Sequence, residues 1–132
     1  MSRKPATSMP RITPYQVRDC LKDIHCGTAI HDSPLLRLPA VTKLAAQKYR
    51  GLYWSQSHAL RDIIVDICRR LSMDDHLGRR AHRAAVFLKV YVLDEQSIAE
   101  AARTLGVPRT TVYEYVMPDA YALIADELQR CC

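Results

Sequence analysis

The sequence predicts an all-α protein, a helical bundle whose C-terminal segment is divided by one tight turn. Three observations carry this. Apolar residues recur at three- and four-residue spacing in segment after segment. Strand-type alternation persists nowhere for more than a few residues, and the β-branched cluster Val90, Tyr91, Val92 continues a helical period. Gly106 and Pro108 punctuate two short helical patterns near the C-terminus.

Taken in order, residues 1–12 hold Pro5, Pro10, Arg3, Lys4 and Arg11 with no apolar period, which predicts a flexible basic arm. Thr13 and Pro14 suit an N-cap and first helical position. Val17, Cys20, Leu21 and Ile24 then share one face of a short helix ending near Gly27. Gly27 to Pro39 is too punctuated for regular structure, with Leu35, Leu36 and Leu38 as its anchors to the core. A helix follows from about Ala40 to Tyr49.

Ser57 is the expected N-cap of the clearest helix, in which Leu60, Ile63, Ile64, Ile67, Cys68 and Leu71 keep the spacing without a miss. Arg79 to Leu93 places Ala81, Ala84, Ala85, Leu88 and Val92 on one face, with Arg79, Arg80, Arg83 and Lys89 around it. Six or seven helices are expected in all.

Composition narrows the function classes. At 132 residues, 48% hydrophobic and 25% charged, the chain is one domain's worth of sequence with enough apolar residues for a real core. No apolar run approaches the ~18 residues of a membrane span, and no apolar segment follows Arg3 and Lys4 as a secretory signal requires, so a cytoplasmic protein is expected. The four glycines form no phosphate-cradling loop of the Walker or dinucleotide type.

Five cysteines, Cys20, Cys26, Cys68, Cys131 and Cys132, do not make a disulfide framework. Cys20, His25, Cys26 and His31 are zinc-ligand types close in sequence, but they match no usual finger spacing and Cys20 lies on an apolar face. No metal or other cofactor is expected. Asp74, Asp75 and His76 suit a solvated connection, and no serine or cysteine nucleophile has an evident partner, so the chain does not read as an enzyme. Tyr49, Tyr53 and Trp54 are expected to pack two helices together.

The informative stretch runs from Ser97 to Tyr113. Ser97 and Glu100 have capping-box spacing, which starts a short helix. Gly106 ends it near Leu105, and Pro108 suits the start of the next. Small Ala102 allows close approach, with Leu105, Val107 and Val112 filling the angle between the two helices. This is the layout of a helix-turn-helix, although a small helical corner that merely packs a bundle has the same layout.

If the second helix enters a major groove, Arg109, Thr110, Tyr113 and Glu114 face base edges and Thr111 lies at the phosphate flank. Arg109 suits a guanine edge or a phosphate, and Glu114 suits a cytosine amine. Val112, Tyr115 and Val116 are expected to seat the helix, and Pro118 to interrupt its path to the last one. Arg79, Arg80, Arg83 and Arg103 are placed for phosphates.

From Arg80 through Leu128 the chain resembles the C-terminal, region-four promoter-reading domain of sigma factors and related bacterial and phage regulators. The features that carry the resemblance are a preceding helix with Ala84, Ala85, Phe87, Leu88 and Tyr91, a polar link at Asp94, Glu95 and Gln96, the Ser97 to Val112 pattern, and a closing helix with Ala120, Leu123, Ile124 and Leu128. The resemblance implies a second helix that reads promoter DNA and a domain that docks on RNA polymerase. It divides the chain into the arm at 1–12, an N-terminal helical part at 13–75 for dimerisation or partner contact, and the sigma-like domain at 76–132.

Net charge is +5, but Ile98 onward carries three Arg against five acids, so the motif itself is acidic and the basic excess precedes it. The expected partner is double-stranded DNA, with RNA polymerase or a second copy of the chain to supplement weak phosphate attraction. The alternative is a protein-interaction adaptor that docks on RNA polymerase or another regulatory protein without reading DNA.

Overall fold

A computed structural model describes residues 11–24, 33–50 and 54–131. Among the described residues the fold is all-helical and has no strand, with six helices of eight residues or more. Residues 1–10 of the expected arm, with His25, Cys26, Gly27 and His31, lie outside the described residues.

The arm ends earlier than its composition suggests. Ile12 is buried in the core, and its N–H donates to Gln129 Oε1 at 2.7 Å, close to the C-terminus of the last helix. Thr13 then caps α1 (Pro14–Ile24): Gln16 N–H donates to Thr13 Oγ1 at 3.3 Å and Thr13 N–H to Gln16 Oε1 at 3.1 Å. This reciprocal pair is a capping box. Ile12 and Val17, both buried, stand at the positions of a hydrophobic staple, which explains why Ile12 is held. Val17, Cys20, Leu21 and Ile24 are buried as their spacing predicts.

The segment before Pro39 is more regular than its prolines suggest. Ser33 Oγ accepts from Leu35 N–H at 3.2 Å and starts a single 3₁₀ turn, Pro34–Arg37, which buries Leu35. Cys20 Sγ meets the same hydroxyl at 3.3 Å.

After α2 (Pro39–Tyr49) comes α3 (Ser55–Ser72), the central helix, which packs against α2, against the last helix and against the segment that begins at Arg79. Its start departs from expectation. Trp54, not Ser57, precedes the helix, and no side chain caps it; Ser57 is buried within the first turn. Aromatic packing fixes this end instead, with Trp54 edge-on to Tyr49 at 5.5 Å and to His58 at 4.8 Å between ring centroids. Leu60, Ile64, Ile67, Cys68 and Leu71 are buried along α3, and burial pushes the Cys68 thiol up to about 12, making it a small inert hydrophobe.

α4 (Arg79–Leu88) runs into a π-turn at Lys89–Leu93, where Asp94 N–H reaches back to Lys89 O at 2.9 Å. α5 (Ile98–Leu105), α6 (Arg109–Thr111) and α7 (Met117–Cys131) follow. A second π-turn, Val112–Val116, joins α6 to α7 without a break. The interruption expected at Pro118 is therefore absent. The widened turn falls just before the proline, where ordinary α geometry would drive its ring into the carbonyl four residues back.

Buried residues from Ile12 to Leu128 belong to one core cluster, with α1 and α4 both lying along α7. The apolar face of α3 is spent inside this core. No helix among the described residues is long and apolar enough to cross a membrane.

Candidate nucleic-acid interface

The corner between α5 and α6 is built by local rules. Ser97 Oγ accepts from Glu100 N–H at 3.1 Å, which opens α5, while the Glu100 carboxylate is engaged by Arg103 one turn on. Gly106 closes α5 at φ 70°, ψ 33°, the left-handed region that a Cβ disfavours. Its N–H donates to Arg103 O at 3.1 Å and Val107 N–H donates to Ala102 O at 3.1 Å, the two nested bonds of a Schellman turn.

Pro108 then turns the chain with φ −64° and ψ 154°, and its carbonyl accepts from Thr111 N–H at 3.0 Å and Val112 N–H at 3.3 Å. A residue that lacks an N–H is well used here, because the first N–H groups of a helix have no intrahelical acceptor.

Packing seats the corner. Ala101 and Ala102 are buried, Leu105 and Val107 pack partly against the core, and Val112 and Val116 are wholly buried. Arg109, Thr110, Tyr113 and Glu114 all lie on the opposite, exposed side, and Thr111 is half-buried at the flank. The four residues predicted to meet base edges therefore share one open face.

Tyr115 does not behave as predicted. It was expected to seat the helix with Val112 and Val116, yet it is 56% exposed. The π-turn is the cause: bonding five residues back reduces the rotation per residue, so Tyr115 is carried away from the buried stripe.

Most of the basic residues assigned to phosphates are open, but three of the four have carboxylate partners. Arg79, Arg80 and Arg103 are exposed and Arg83 is half-buried. Arg80 makes a forked pair with Asp119, 2.8 Å from Nη2 to Oδ1 and 3.2 Å from Nε to Oδ2, and this hydrogen-bonded carboxylate raises the guanidinium's pKa further. Arg83 Nη2 lies 3.7 Å from the same carboxylate, while its Nε is buried with no hydrogen-bond partner among the described residues. Arg103 is held by Glu100, and Glu127 sits near Arg70 and Arg130 at 3.7 Å and 3.0 Å. The acidic charge of the C-terminal segment is thus spent largely on arginines.

Asp119 is the residue that sequence reasoning passed over. In the sequence it reads as one more polar residue on a helix. Nothing in the spacing says that α4 lies alongside.

Among the described residues no group of three His, Cys, Asp or Glu side chains is arranged to hold a metal ion. Cys20 is buried at Ser33, and the other three residues of that sequence cluster lie outside the described residues. No family model, characterised protein or solved structure matches the chain.

Proposed function

We propose that the chain is a sequence-specific DNA-binding transcription regulator, in which α5, the Gly106 turn and the helix from Arg109 act as a sigma-like helix-turn-helix. One observation carries the reading. Arg109, Thr110, Tyr113 and Glu114 share an open face while Val112 and Val116 lock the same helix onto the core. Donors and acceptors on a rigid helix are what direct readout in a major groove needs.

In this reading Arg109 takes a guanine edge or a phosphate, Glu114 a cytosine amine, and Thr110 and Tyr113 a phosphate or a thymine methyl. Arg79, Arg80, Arg83, Arg103 and Thr111 contact the backbone. The protein works in the cytoplasm on double-stranded DNA, and a second copy or RNA polymerase adds the affinity that one short reading helix lacks.

Selection from a random duplex pool with the full chain, at two salt concentrations, tests it. An enriched motif supports direct readout, and its symmetry reports monomer or dimer. No enrichment even at low salt defeats the proposal.

A second reading is favoured by the ion pairs. With Arg80 and Arg83 on Asp119 and Arg103 on Glu100, much of the basic charge is already paired with carboxylates, as suits an adaptor that docks on a protein. A DNA binder shifts duplex DNA in a gel; an adaptor leaves DNA unshifted and retains a protein partner instead.

A further inference from the structure

Beside the α6 face lies a groove of about 680 Å³, walled by α1, the two π-turns, the start of α5 and the first turns of α7. Four tyrosines line it: Tyr15 from α1, Tyr91 and Tyr113 from the π-turns, and Tyr121 from α7. Leu21, Ile98 and Met117 add aliphatic and thioether surface. The charged side chains among its lining residues are Arg18 and Lys22, both cationic.

Each feature limits the occupant. The volume is that of a pocket for a small organic molecule, within the usual ~300–1,000 Å³. Phenol rings from three sides favour a flat apolar body. The Arg18 guanidinium at one edge, with no carboxylate among the lining residues, favours an anion there. Arg18 is positioned for this, its guanidinium 5.3 Å over the Tyr15 ring while its Nε rests 3.3 Å from Asp19 outside the groove. Tyr121 is half-buried, and burial, then the neighbouring Tyr91, pushes its phenol up to about 12, so it stays a neutral donor over the physiological range.

We infer that this groove is a binding site for a small aromatic carboxylic acid, its ring held among Tyr15, Tyr91, Tyr113 and Tyr121 and its carboxylate at Arg18. Tyr113 belongs both to the groove wall and to the open face that begins at Arg109. A ligand resting on it therefore alters what that face presents, and this consequence alone depends on the DNA-binding reading.

Calorimetry on the full chain tests the site, with 2-naphthoate as the acid and 2-naphthylmethanol as its neutral counterpart. The expected result is one saturable site that prefers the acid about tenfold. Arg18→Gln should abolish the preference and leave alcohol binding unchanged. Tyr15→Ala, a change at a residue 69% exposed and so safe for folding, should weaken both probes together by about threefold or more.

The inference is overturned if neither probe saturates, if the parent chain binds acid and alcohol equally, or if Arg18→Gln weakens both alike. DNA binding enters none of these readouts. A chain that shifts DNA but takes no naphthoate sinks only the groove; one that takes naphthoate as described and shifts no DNA supports the groove and sinks only the reading helix.

Discussion

Arg80 and Asp119 clasp across the contact of α4 with α7, a forked guanidinium–carboxylate pair at 2.8 and 3.2 Å between residues 39 apart in the chain. The same carboxylate faces Arg83 at 3.7 Å, so a single acid holds two of the arginines assigned to phosphates. Phosphate and Asp119 thus compete for one set of donors. Asp119→Asn should release the arginines, tightening binding to any duplex several-fold at low salt and steepening the salt dependence. Because Arg80 is largely open to solvent, loss of its pair should lower stability only slightly. Gel shifts across a salt series read the first effect and thermal unfolding the second. Unchanged DNA affinity would mean that these arginines do not meet phosphate.

Arg109 and Arg79 should separate reading from positioning. Arg109 is exposed at the start of the open helix face, and Arg79 is exposed on the first turn of α4. Arg109→Ala should relax preference at one base pair at a cost of about 1–3 kcal/mol on the parent's best site. Arg79→Ala should weaken all sequences alike and reduce the salt slope by ~0.9. Site selection and a salt titration on each variant check the pair. The same loss pattern in both would refute the division of roles.

Gly106 offers a stability test that DNA does not enter. A Cβ placed there meets nothing within 4 Å, so only the left-handed backbone, φ 70°, opposes substitution. Gly106→Ala should cost about 1–2 kcal/mol and Gly106→Asn less, since Asn visits this region more readily. Glu95, at φ 53° in the link before α5, presents the converse case. Glu95→Gly should be neutral or stabilising by up to about 1 kcal/mol, its relieved strain set against a more flexible unfolded chain. Thermal melts of the three variants rank them.

How much of this was legible depends on the range of the interaction. The capped starts at Thr13 and Ser97 and the stop at Gly106 are written within a few residues, and they appear where the sequence places them. The α3 stripe was legible because its period repeats over five turns. Ser57 failed as a cap because Trp54, packed on Tyr49 and His58, sets the helix start through a contact that spacing does not encode. Tyr115 failed because a π-turn breaks the three-four period used to read it. Asp119 and the tyrosine groove are products of packing: Tyr15, Tyr91, Tyr113 and Tyr121 share no period, and only the fold assembles them. The open face of α6 was legible by position, but its arginine partners were not.

The link between α2 and α3 carries its own pH dependence. Asp62 Oδ2 accepts from Tyr49 Oη at 2.6 Å and from Lys48 Nζ at 2.9 Å. Partial burial alone would raise this carboxyl, but the hydrogen bonds from Tyr49 and Lys48 and the lysine's charge outweigh it and hold the carboxyl below the usual range. The folded state therefore binds fewer protons here than the unfolded chain. Its contribution is full above the unfolded value of about 4 and is lost as pH falls through the lower folded value. At the alkaline end Asp62 raises both Lys48 and Tyr49, so their contributions are present at neutral pH and are lost only as pH climbs through the raised values. Tyr49→Phe keeps the ring against Trp54 and His58 while deleting the donor to Asp62. It should cost about 1 kcal/mol or less at neutral pH, since the carboxylate is partly open to solvent. The gap between variant and parent should narrow as melts are moved from about pH 7 to about pH 3, because a protonated Asp62 no longer rewards the phenol. No gap at neutral pH would show that Tyr49 acts through packing alone, and a gap that stays constant over that span would show that its hydroxyl acts independently of the Asp62 charge.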